Sequence, residues 1–72
     1  MWSYESRAGK MRITFNGESY ALEIDNTVYG FYSSPELAAD DVASFVTGCY
    51  EWDSMALNVT DYPSDLSEWD QP

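Results

Sequence analysis

The sequence predicts an α+β fold: a three- or four-stranded antiparallel β-meander covered on one face by one amphipathic helix, with a short C-terminal extension. Three features carry that expectation. The first 32 residues alternate apolar and polar between turn dipeptides, Ser34-Pro35-Glu36 reads as a helix start, and the apolar residues behind it recur with helical period.

The strands come first. Turn dipeptides stand at Ala8-Gly9, Asn16-Gly17 and Asp25-Asn26, and Asn-Gly between alternating runs signals a hairpin because both residues tolerate the positive φ of a tight turn. With Asn16-Gly17 as a two-residue loop, Ile13 faces Tyr20 and Met11 faces Leu22. With Asp25-Asn26 as the next loop, Leu22 faces Tyr29 and Tyr20 faces Phe31. With Ala8-Gly9 closing the first hairpin, Tyr4 faces Ile13 and Trp2 faces Phe15. The three turns then agree on one apolar face: Trp2, Tyr4, Met11, Ile13, Phe15, Tyr20, Leu22, Ile24, Tyr29 and Phe31. Glu5, Arg12, Thr14, Ser19, Glu23 and Val28 fall on the other face, and a one-residue slip would invert the sorting.

Ser34 reads as the N-cap of the helix, Pro35 as its first residue and Gly48 as its stop, so the helix is expected from Pro35 to about Thr47. Ala38, Ala39, Val42, Ala43, Phe45, Val46 and Cys49 share one arc, while Glu36, Asp40, Asp41, Ser44 and Thr47 fill the opposite one. Leu37 falls on the polar arc. Beyond the helix, Tyr50-Glu51-Trp52-Asp53 reads as a loop with aromatic pegs and Ser54 to Val59 as a short edge strand. Ser64 to Trp69 reads as one helical turn docked through Leu66 and Trp69.

Seventy-two residues form a single domain, 1–72. A chain this short buries only about 60 % of its unfolded surface, and its twelve aromatics supply the large side chains such a core needs. Cys49 is the sole cysteine, so no intramolecular disulfide forms, which fits a reducing compartment. The N-terminus shows no basic and apolar leader pattern and no apolar run nears about 20 residues, so a cytoplasmic protein without membrane attachment is expected.

Catalytic chemistry is thinly represented. The chain has no histidine, which removes the commonest general base and neutral metal ligand. Cys49 sits on the apolar arc at the helix C-terminal end and reads as a small buried hydrophobe. Glu36 and Asp40, at i and i+4, would bind Mg²⁺ or Ca²⁺ only weakly, and no stretch has the EF-hand spacing. The expectation is a protein that binds rather than catalyses, with no cofactor and no metal.

Charge is the strongest signal. Thirteen acids against three bases give a net charge of −10. Only Glu5 among the acids precedes Ile13, and no base follows Arg12. A net charge of roughly 2 to 8 suffices for solubility at this size, and an excess destabilises the compact state by self-repulsion. One reading is that the carboxylates imitate the phosphates of nucleic acid and occupy a basic groove on a DNA- or RNA-binding protein. Duplex DNA carries one charge per ~1.7 Å of axis, so a span of about 30 Å presents roughly nine phosphates on one strand. Two other readings stay open, a module binding some other basic protein and a domain whose charge serves solubility only. On the mimic reading the contact residues are Glu36, Asp40 and Asp41 on the helix, Glu51 and Asp53 behind it, and Asp61, Asp65, Glu68 and Asp70. Leu37 either packs on the Ser33-Ser34 turn or acts as an apolar anchor within that surface.

The segment from Val28 to Val42, holding Gly30-Phe31-Tyr32, Pro35-Glu36 and Ala38-Ala39-Asp40-Asp41-Val42, is followed by Thr47-Gly48, Trp52-Asp53 and Asp65-Leu66-Ser67-Glu68-Trp69. This pattern resembles small acidic proteins of bacterial and phage genomes. In size and charge the chain is also similar to phage-encoded DNA mimics, including anti-restriction and anti-CRISPR proteins. The resemblance implies an inhibitor of a CRISPR surveillance complex or nuclease, working in the bacterial cytoplasm as a monomer or small homo-oligomer without touching nucleic acid itself.

Overall fold

In a computed structural model, residues 1–56 and 62–71 are described. Four strands, β1 (Trp2–Ser6), β2 (Gly9–Phe15), β3 (Tyr20–Ile24) and β4 (Thr27–Tyr32), form one antiparallel sheet in the order β1-β2-β3-β4. Helix α1 (Pro35–Ala43) packs on β3 and β4, a one-turn helix α2 (Tyr50–Asp53) follows, and a 3₁₀ turn (Leu66–Glu68) closes against α1. This is the expected meander with four strands, covered on one face by the helix. The core joins Met11, Ile13, Leu22 and Ile24 from the sheet to Ala38, Ala39 and Val42 from the helix, with Cys49, Trp52 and Trp69 around them. The small side chains of Ala38 and Ala39 let the helix lie close to the strands.

The first two hairpins differ from the expected register by two residues. Tyr4 pairs with Met11 and Trp2 with Ile13, because Arg7-Ala8 forms the loop and Gly9 begins β2. Met11 pairs with Ile24 and Ile13 with Leu22, because the loop spans Asn16 to Ser19. The Asn16 side-chain oxygen accepts the backbone N–H groups of Glu18 (3.0 Å) and Ser19 (2.8 Å), a local bond pattern that a two-residue turn cannot hold. A shift of two preserves face parity, so Met11, Ile13, Leu22 and Ile24 stay in the core, but Phe15 at the end of β2 is exposed rather than buried.

The third hairpin turns at Asp25-Asn26 as expected, both at positive φ. A bulge then places Tyr29 as an extra residue, so that Leu22 pairs with Gly30 and Tyr20 with Tyr32. A one-residue insertion reverses the facing of every strand residue behind it. Phe31 therefore points away from the core and is 65 % exposed, while Tyr32 takes the inward place expected of Phe31.

The helix is shorter than expected. Ser34 Oγ accepts the Leu37 N–H and Pro35 opens the helix, but the last helical residue is Ala43. Phe45 takes a left-handed φ of 57°, and Phe45 and Val46 donate back to Val42 O and Asp41 O, closing a Schellman motif. Gly48 is thus not the helix stop, Val46 is exposed, and Cys49 is buried as the residue before α2 rather than on α1. Tyr50 to Asp53 is a helical turn rather than a loop. Ser54 to Ala56 form a turn, and the rest of the expected edge strand, residues 57–59, lies outside the described residues.

Candidate functional site

Residues Glu36, Leu37 and Asp40 share the solvent face of α1, and the 3₁₀ turn brings Ser64, Asp65 and Leu66 against it. Between them lies an open groove of about 350 Å³. Leu37, 48 % exposed, and the half-buried Leu66 form its apolar lining, and Glu36, Asp40 and Asp65 its acidic rim. The turn is held by its own carboxylates. Asp65 accepts from the Ser67 N–H and hydroxyl, and Glu68 from the Ser64 N–H and hydroxyl. Those two donors, the backbone one first, hold the Glu68 carboxyl below the usual carboxylate range. Trp69, buried against the tilted ring of Tyr4 at 5.8 Å, anchors the segment from below.

The groove gathers Glu36, Leu37, Asp40 and Asp65 of the expected contact residues; the others are placed differently. Asp41 is half-buried and accepts the Tyr32 hydroxyl at 2.8 Å. Burial, then the bond to Asp41, pushes that phenol up to about 12. Asp53 accepts from Thr47 N–H (3.0 Å), Thr47 hydroxyl (2.8 Å) and Gly48 N–H (2.9 Å), which makes it the clasp of the α1–α2 connection. Glu51 is exposed beside the Cys49 thiol, and a hydrogen bond with that thiol, then burial, raises the Tyr29 phenol. Asp70 ties the C-terminal segment to β1 through backbone bonds with Ser3 in both directions. Asp61 lies outside the described residues. Leu66 and Ser64 join the site although neither was expected there. Two acid-leucine dipeptides, Glu36-Leu37 and Asp65-Leu66, were the available signal.

The bases lie elsewhere. Lys10 pairs with Glu5 (3.7 Å) and Arg12 with Glu23 (3.6 Å), each directly opposite across neighbouring strands on the sheet face turned away from the helix. Those four charges cancel. The acids of α1, α2 and the 3₁₀ turn have no base among them.

Among the described residues no group of three cysteine, aspartate or glutamate side chains is placed to hold a metal ion, and no helix is long and apolar enough to cross a membrane. No protein-family model matches the chain, and no curated protein or solved structure matches it either.

Proposed function

We propose that this protein is a binding inhibitor of the phage or mobile-element type, which presents nucleic-acid-like charge to a basic DNA- or RNA-binding groove in the bacterial cytoplasm. A CRISPR surveillance complex or nuclease is the partner class that fits. The observation that carries this reading is charge segregation: both bases of the sheet face are spent on Glu5 and Glu23, so the sheet face adds no net charge, while the acids of α1, α2 and the 3₁₀ turn stand without a base among them. The dimensions agree with it. The molecule is 35 Å long, a length over which one DNA strand presents about ten phosphates.

The test begins with affinity isolation and identification of the partner, followed by displacement of a labelled nucleic acid from it. Competition is expected, with affinity falling as salt rises from roughly 50 to 200 mM, because screening weakens attraction between surface charges. A ternary complex with nucleic acid still bound, or an affinity indifferent to salt, overturns the proposal.

A further inference from the structure

We infer that the groove between α1 and the 3₁₀ turn receives arginine side chains of the partner, with Leu37 and Leu66 as the apolar seat; this rests on the reading that the partner is basic. Acidity alone would draw any cation to any face. The groove differs in joining an apolar lining to carboxylates on two opposing walls. Leu37 is the large apolar side chain of α1 that is exposed, and it lies between Glu36 and Asp40 on one wall, facing Asp65 and Leu66 on the other.

Arginine matches both parts. Its methylene stem covers apolar surface while its head stays charged. Its planar guanidinium is weakly hydrated and carries five donors in a fork, enough to bridge carboxylates on separate walls. Lysine carries the same charge as a compact, strongly hydrated ammonium and gains less from an apolar seat. A volume of about 350 Å³ is at the small end of ligand sites, a size for side chains of an incoming segment. An anionic ligand is excluded by the rim.

The test is a titration of the ¹⁵N-labelled full chain with amidated triarginine and with amidated trilysine at about 50 mM salt, read by amide chemical shifts. Triarginine should perturb the Glu36–Asp40 and Ser64–Glu68 amides and bind several-fold more tightly than trilysine. Leu37→Ser should weaken triarginine about fivefold while leaving the remaining spectrum in place. Glu36→Gln with Asp40→Asn, which keeps shape and Leu37, should remove the preference for arginine. Perturbations spread evenly to Glu18, Asp25 and Glu51, with Leu37→Ser indifferent, overturn the groove and leave electrostatic mimicry standing. Absence of binding by triarginine overturns the groove, while mimicry stands or falls separately on the competition experiment with the isolated partner.

Discussion

Tyr32 and Asp53 show how single side chains of this acidic protein are committed to holding the fold. The Tyr32 hydroxyl donates to Asp41, so Tyr32→Phe should cost about 1 kcal/mol. Folding raises this phenol from its ordinary 10.0 to about 12. The stabilisation is therefore complete below pH 10 and is lost as pH rises towards 12. Urea midpoints of the two proteins should differ at pH 9, and the gap should close between pH 10 and pH 12. A gap that stays constant would mean that Tyr32 is not the group titrating. Asp53, with three donors on its carboxylate, should cost about 2 kcal/mol when changed to alanine, whereas exposed Glu51→Ala stays within about 0.5 kcal/mol. Equal effects of the two would refute the clasp. Glycine at position 9 is required by geometry, since it holds a φ of +118° and an added Cβ would meet Asp25 Cβ at 2.8 Å.

At the scale of elements, the end of α1 sets a strained backbone against aromatic packing. A left-handed conformation costs a residue bearing Cβ about 1–2 kcal/mol. Phe45 gains more than that by stacking on Trp52 (4.7 Å, 13°) and meeting Tyr62 edge-on (5.3 Å), contacts worth about 0.5–1.5 kcal/mol each beyond burial. Phe45→Ala keeps the strain and loses the rings, while Phe45→Gly loses both. Each should destabilise, the glycine variant by about 1 kcal/mol less, as read from thermal midpoints. The reverse order would show that strain does not decide here. This trade explains what the sequence hid. Period and capping made the strands, the Ser34 cap and the core face of α1 legible, because they are local and repetitive. The helix stop was not, because a glycine lay four residues beyond Ser44 and the signal that won was a tertiary contact with Trp52. The Tyr29 bulge was hidden likewise, since both Phe31 and Tyr32 are plausible inward residues. For the site, exposure of Glu36, Leu37 and Asp40 followed from helical periodicity. The commitment of Asp41 and Asp53 to internal partners did not, for it depends on Tyr32 and on the Thr47-Gly48 loop.

For the whole molecule, the pattern of charge carries more weight than its amount. The outer sheet face is locally neutral through its two cross-strand pairs, so a basic groove approaching from that side meets little net field within a Debye length of about 8 Å. Approach to the helical layer meets carboxylates without a base. Two double substitutions separate pattern from amount. Glu36→Lys with Asp40→Lys, and Glu5→Lys with Glu23→Lys, each replace two acids with two bases, so the net charge of −10 becomes about −6 in both. The sheet pair replaces two surface ion pairs, worth about 0–1 kcal/mol each, with like charges at Lys10 and Arg12 that cost a further ~0.2–1 kcal/mol each. The helix pair leaves the Tyr32–Asp41 bond untouched, so both should fold, as thermal midpoints measured alongside check. Measured at one salt concentration against the isolated partner, the helix-side reversal should weaken binding by about tenfold or more, chiefly through slower association. The sheet-side reversal should weaken it far less. Equal losses would show that the partner responds to total charge from any direction, and the helical layer would then have no special part in recognition.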